Sequence, residues 1–177
     1  GDMFTVWLDG ACGSHLDGKP AQKYDFERYY ALIRRLQPNC AISNCGPDVR
    51  WVGNEAGVTR KSEWNVVPAG LADTARVALE SQKEEGPFVK PPGAEDEDLG
   101  SREVLSRYDK LIWYPAEADV SIRPGWFYHS YEDRKVKSAD RLLSLWYSTV
   151  GGNCMLLLNL PPDKRGLIHE KDARSMK

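Results

Sequence analysis

The first 45 residues alternate in a way that few folds accept. Phe4–Leu8 is an apolar run rich in β-formers and reads as a buried strand. From Tyr24 to about Leu36, the residues Phe26, Tyr29/Tyr30, Ile33 and Leu36 recur at helical spacing. Asp25 stands where a cap is needed, Glu27 in the first turn, and Arg34 and Arg35 in the last; Pro38 stops the helix. Cys40–Ser43 is a second short strand. Strand, helix and strand in so short a span make a βαβ unit, whose two strands run parallel and end on one rim. Asp9 and Asn44 follow those strands, so both belong to the rim where such sheets carry chemistry.

Downstream, Val49–Gly53 reads as a third strand or an extended rim segment, with a loop over 54–57. Leu71–Lys83 has weak helical character. Gly86–Gly100, rich in Pro and Gly and holding Glu95–Asp98, reads as a solvated surface insertion. Leu111–Tyr114 and Trp126–His129 are aromatic segments of strand character. A helix is expected over Ala139–Thr149, capped by Ser138 and followed by Gly151-Gly152. Met155–Leu160 is a last buried strand, closed by Pro161-Pro162. The alternation gives an α/β class. A whole (β/α)8 barrel takes ~250 residues, so the 177 residues are expected to form the later part of a TIM-like barrel, one incomplete catalytic domain over 1–177. A strand that begins straight after Gly1-Asp2 reads as a chain cut inside a domain, with any targeting segment upstream.

Composition narrows the function. A net charge of −2 gives no general attraction to nucleic acid or an anionic membrane. No apolar run approaches the ~20 residues of a membrane-spanning helix. Cys12, Cys40, Cys45 and Cys154 form no C-x-x-C pair, so no metal site is expected, and they read as buried or half-buried thiols. No Asn-x-Ser/Thr sequon occurs. Dinucleotide-binding, P-loop, zinc-protease and nucleophile-elbow motifs are missing.

Two carboxylates stand out. Asp9 ends the first strand and Glu55 follows the third strand-like segment. Taken singly, Asp9 reads more simply as an Asp-Gly turn, and Glu55 as a partner of Arg50 or Arg60. Together they occupy neighbouring rim positions. A pair of carboxylates across a pocket is what glycoside hydrolysis requires, one as nucleophile and one as acid/base. Trp51 and Val52 beside Glu55 provide the apolar surroundings that keep an acid protonated. Glu63, next to Trp64, is the rival for that role. Trp51, Trp64, Trp113 and Trp126 suit stacking on sugar faces, and Arg50 and Arg123 suit hydroxyls or carboxylates, although core packing and ion pairing are the commoner uses of such residues.

At these residues a family is recognisable. Val6–Ala11 resembles the nucleophile strand of the α-L-fucosidases of glycoside hydrolase family 29, usually WFDGA. Gly46–Gly57 resembles the acid/base segment of the branch that prefers α-1,3- and α-1,4-linked fucose. Ser121–His129 and Gly152–Asp163 are similar to a pocket segment and to the last barrel strand. The resemblance implies a retaining exo-α-L-fucosidase with Asp9 as nucleophile, Glu55 as acid/base and Arg50, Trp51 and Trp126 around the substrate. It implies a fucosylated oligosaccharide as partner, no cofactor, and an extracellular or periplasmic setting. Leu8 replaces the usual Phe, and Cys12 stands where many members have Asn or Trp. The family's paired histidines belong upstream of this chain. The alternative expectation is therefore an inactive barrel fragment, acting at most as a sugar-binding or partner-dependent module.

Overall fold

The computed structural model describes residues 1–9, 23–61, 63–74 and 98–177. Its frame is a five-stranded parallel sheet in the order β1-β2-β3-β6-β7. These strands are β1 (Thr5–Leu8), β2 (Ala41–Asn44), β3 (Val49–Trp51), β6 (Ala116–Ser121) and β7 (Cys154–Asn159). A two-stranded antiparallel sheet, β4 (Val66–Pro68) with β5 (Leu111–Trp113), lies in the excursion between β3 and β6. Four α-helices are described: α1 (Phe26–Leu36), α2 (Arg102–Leu105), α3 (Ala139–Thr149) and α4 (Glu170–Ser175).

The expected βαβ unit is present: β1 and β2 pair in parallel, with Leu8 opposite Asn44. α1 is capped as its sequence dictates, the Arg28 N–H donating to Asp25 at 3.2 Å. It buries Phe26, while Leu36 at the end of its apolar stripe is 63% exposed.

The step from β2 to β3 is unusual. Parallel neighbours normally need a crossover of a dozen or more residues, yet only Cys45–Asp48 intervene here. Asn44 makes the reversal by adopting φ 65°, a left-handed conformation that Asn tolerates better than most residues. Gly46 lies so close to the chain it has just left that a Cβ would fall 2.1 Å from the Ile42 carbonyl oxygen. The Asp48 carboxylate accepts the Ile42 N–H at 2.7 Å and pairs with Arg34 of α1. The hydroxyls of Tyr30 and Tyr114 donate to the carbonyls of Cys45 and Gly46.

The sheet is curved. Trp7 on β1 donates its indole N–H to Glu117 on β6 at 2.7 Å, although β2 and β3 lie between. Three strand spacings amount to about 14 Å on a flat sheet, so the two side chains meet only across a concave face. Strand alternation assigns Thr5, Trp7, Ser43, Trp51, Glu117, Asp119 and Ser121 to that face. The opposite face carries Val52, Ala116, Ala118 and Cys154 as a buried cluster. A parallel sheet curved this way, with helices in its connections, is the arc of a TIM-like barrel.

Two elements differ from the sequence expectation. Trp126–His129 is a loop rather than a strand, and the strand lies just before it at β6. Glu117 and Asp119 interrupt the apolar character of Ala116–Ser121 and hide the strand; they sit on the concave face, where a barrel tolerates charge. Leu99, placed within the 86–100 insertion, is 1% exposed and packs with Val67 and Tyr114. The earlier part of that insertion and most of Leu71–Lys83 lie outside the described residues; Ala69–Ala72 is a short 3-10 turn. Cys40, Cys45 and Cys154 are buried, as expected; Cys12 lies outside the described residues.

On the covered face Arg50, Arg60 and Glu63 form a buried ionic cluster. Glu63, with a fully buried side chain, lies 2.5 Å from Arg50 Nη2 and 2.8 Å from Arg60 Nη1. Arg50 also donates to the carbonyls of Tyr114 and Trp64 at 2.9 Å, and Arg60 to that of Val52 at 3.0 Å. Burial alone pushes the Glu63 carboxyl up, but the two guanidiniums outweigh it and hold the group below its ordinary 4.5.

Two outcomes test this frame. Gly46→Ala is expected to destabilise the fold by about 1–3 kcal/mol through overpacking, read by urea unfolding. Glu63→Gln leaves two buried guanidiniums without a counter-charge and is expected to cost about 3–5 kcal/mol. Because the folded-state Glu63 titrates below its unfolded value, its contribution is present above pH 4.5 and fades as pH falls through the folded value. In the variant that acid-side loss should shrink, as measured by denaturation midpoints across pH 3–7.

Candidate active site

All five parallel strands end on one rim, and the expected site residues can be placed against it. Asp9 follows Leu8 directly at the end of β1 and is exposed. Glu55 lies beyond β3 in an exposed position, on the loop Val52–Gly57. Trp126 lies in the loop beyond β6. The shared strand direction therefore brings Asp9, Glu55 and Trp126 to the same side of the sheet.

The Glu55 loop is held from both ends. Asn54 accepts the N–H groups of Ala56 and Val58, each at 3.1 Å, and donates to the Val58 carbonyl at 2.8 Å. Gly53 and Gly57 have φ of 103° and 72°, which allow the chain to turn out and back without a side-chain clash. At Gly57 a Cβ would meet Leu145 of α3 at 2.6 Å and Val120 of β6 at 3.2 Å, so the loop returns directly onto the covered face. Ser148 of α3 donates to the Gly57 carbonyl at 2.9 Å, and Thr59 donates to the Ser148 carbonyl at 2.8 Å.

The Trp126 loop is tied to the sheet below it. Asn159 at the end of β7 donates to the Trp126 carbonyl at 3.0 Å, and Ser121 at the end of β6 donates to the Gly125 carbonyl at 2.7 Å. Farther along, Arg123 is wholly buried, bound to Asp172 at 2.8 Å and Asp133 at 3.0 Å, with Tyr128 stacked against it. It fastens α4 to this corner, which is the ion-pair role. His129 is exposed and stacks on Tyr131.

Trp51 stands on the concave face, its indole N–H donated to Asp119 at 2.6 Å. Burial raises the Asp119 carboxyl above its usual range; the Trp51 hydrogen bond opposes the rise and the negative charge of Asp9 adds to it. Glu117 is likewise raised by burial, with Trp7 opposing and Asp119 adding. The floor below the rim thus holds two carboxylates that the sequence reading did not single out. Their signal was available: Ala-Glu-Ala-Asp-Val-Ser alternates with the period of a strand.

Arg50 and Glu63 are placed elsewhere. Alternation turns Arg50 to the face opposite Trp51, where it is 5% exposed and bound to Glu63. It takes there the ion-pair role that was its commoner reading. Glu63 takes the ion-pair role with Arg50 and Arg60 that was the simpler reading for Glu55, and its lowered titration is the reverse of what a proton donor needs. Among the described residues, no group of three or more His, Cys, Asp or Glu side chains is placed to hold a metal ion. Among them, too, no helix is long and apolar enough to cross a membrane.

The α-L-fucosidase family model matches residues 4–177. Over 98% of its length the chain is 39% identical to α-L-fucosidase 1 of Arabidopsis thaliana, of which it covers 29%. A solved Bacteroides ovatus protein assigned to the α-L-fucosidases is 46% identical with a TM-score of 0.81, covering 100% of this chain and 29% of that one. A Ruminococcus gnavus glycoside hydrolase 29 fucosidase, solved in complex with fucose, is 25% identical with a TM-score of 0.66, covering 98% of this chain and 32% of that one. The chain spans less than a third of the length of the curated relatives it matches. The match of the family model along the chain, the rim that gathers Asp9 and Glu55, and the agreement with solved folds lead to one conclusion: this chain belongs to the α-L-fucosidase family, glycoside hydrolase family 29.

Proposed function

We propose that this chain is the part of a retaining exo-α-L-fucosidase that carries both catalytic carboxylates. The observation that carries the reading is the common rim: Asp9 and Glu55 rise from the same ends of parallel strands separated by β2 alone. Asp9 attacks the anomeric carbon of a terminal α-L-fucose while Glu55 protonates the departing oxygen. A covalent fucosyl-enzyme forms, and Glu55 then takes a proton from the water that releases fucose. Trp51 and Trp126 wall the pocket, and the reaction needs no cofactor. Arg50 has no part in this proposal, since it lies on the covered face. Likeness of Gly46–Gly57 to the α-1,3/1,4 branch supports fucosylated oligosaccharides of that linkage as substrates. The five-stranded arc closes with further strands into a (β/α)8 barrel, and an extracellular or periplasmic setting is part of this reading, by family likeness alone.

Hydrolysis of 4-nitrophenyl α-L-fucoside and of a Lewis-type oligosaccharide tests this in the full-length enzyme. Glu55→Gln is expected to lower kcat on the oligosaccharide by about 10²–10⁴-fold. It should spare kcat/KM of the nitrophenyl substrate, whose leaving group departs without a proton, while kcat on it falls because release of fucose still needs the base. Asp9→Asn is expected to abolish both reactions, and NMR should show α-fucose as the first product. Full activity in Asp9→Asn, or β-fucose appearing first, would falsify the mechanism. A second reading has support from the share of its relatives that the chain covers, 29%: by itself it forms an inactive arc that binds sugar at most. Stabilisation of the isolated chain by fucose without turnover is the result expected from that reading.

A further inference from the structure

β6 carries two carboxylates on successive positions of the concave face, and each accepts one indole N–H. Glu117 takes that of Trp7, which stands two residues before Asp9. Asp119 takes that of Trp51, which stands four residues before Glu55. An indole has a single donor and no acceptor, so each bond has one fixed direction. A carboxylate acceptor makes it shorter and stronger than a neutral pair, in keeping with 2.7 Å and 2.6 Å. The first bond spans β2 and β3, and the second joins adjacent strands. One strand thus holds, from below, both strands from which the proposed nucleophile and acid/base arise.

We infer that Glu117 and Asp119 are positioning residues, which set the separation of Asp9 and Glu55 by fixing β1 and β3 through Trp7 and Trp51. The inference rests on the fucosidase reading above. A retaining mechanism tolerates little error in that separation, because its carboxyls must stand roughly 5–5.5 Å apart. A misplacement of ~1 Å costs on the order of 10²-fold in rate. Neither β1 nor β3 is long: Thr5–Leu8 and Val49–Trp51 have few ladder hydrogen bonds of their own to fix how far apart they stand. Burial raises both carboxyls, and in each the indole bond opposes that rise, so the bond and the charged form of the acid support each other.

The test pairs a variant that loses the acceptor with one that keeps it: Asp119→Leu with Asp119→Asn, and Glu117→Leu with Glu117→Gln. Two readouts are taken in the full-length enzyme: fucoside kinetics, and the indole N–H signals by NMR, assigned with Trp7→Phe and Trp51→Phe. Asp119→Leu is expected to move the Trp51 signal upfield and lower kcat by about tenfold or more, with KM little changed. Asp119→Asn should restore most of kcat. Glu117→Leu and Glu117→Gln should do the same through Trp7. A rise in KM at constant kcat would mean that the carboxylates touch the sugar directly, which overturns the inference. An altered indole signal with unchanged kcat overturns it as well. Should the leucine variants not fold, Trp7→Phe decides, since it keeps an apolar ring and removes only the donor: the same loss in kcat supports positioning, and unchanged kcat refutes it. An unsubstituted enzyme that hydrolyses no fucoside removes the functional reading and the catalytic part of this inference together. Indole signals that still respond to Asp119→Leu identify that case.

Discussion

The arrangement of the whole sheet depends on the reversal between β2 and β3. Consecutive parallel strands joined by Cys45–Asp48 alone are possible only because Asn44 enters the left-handed region and Gly46 lies against the Ile42 backbone. The strain is held by side chains from three directions. Asp48 ties the turn to Ile42 and to Arg34 of α1, Tyr30 reaches it from the same helix, and Tyr114 reaches it from beyond β5. Asn44 also donates to the Leu8 carbonyl at 2.8 Å, so the turn fixes the end of the strand that delivers Asp9. With a helical crossover in this place β3 would need an extra covering element. Without one, the third strand comes immediately beside the second, and the rim positions of β1 and β3 stand one strand apart.

From that frame, the loop bearing Glu55 gains its precision from contacts on the other side of the sheet. Gly57 and the Ser148–Thr59 bonds press its return segment onto α3 and β6, while Asn54 closes it upon itself. An exposed carboxylate on a loop is ordinarily free to wander. Here the exposed residue stands between two points fixed by packing and hydrogen bonds. The helix α3 is far along the chain from Glu55, so this support is a property of the fold and not of the local segment.

What the sequence disclosed follows the same division between local and distant causes. β1, α1 and β2 were legible because periodicity, caps and Pro38 are local signals, and the parallel pairing follows from chain connectivity. The rim positions of Asp9 and Glu55 were legible for that reason too. β6 was not, because its charged residues look wrong for a buried strand until the curvature of the sheet gives them an interior to face. The partnership of Arg50 with Glu63 was equally hidden. In the strand Val49–Trp51 either face was open to Arg50, and only the alternation set by the β3–β6 register turned it away from Trp51. The hydrogen bonds from Trp7 and Trp51 join residues more than 60 apart in sequence, a distance over which no pattern in a single chain speaks.

The buried carboxylates on the two faces of the sheet show how differently the same group can be used. Glu63 on the covered face meets two guanidiniums and is held ionised, which suits a permanent brace. Among the described residues, Glu117 and Asp119 on the concave face accept neutral indole donors, and burial raises their carboxyls instead. Pairing either with a cation would have made a stronger brace, but in the proposed reaction it would place a positive charge beneath the developing oxocarbenium ion. An indole fixes position without adding charge. Guanidinium compensation is confined to the covered face, away from the rim where Asp9 stands. Structural and electrostatic demands are met by the same strand, because alternation sends its apolar residues to the one side and its acids to the other.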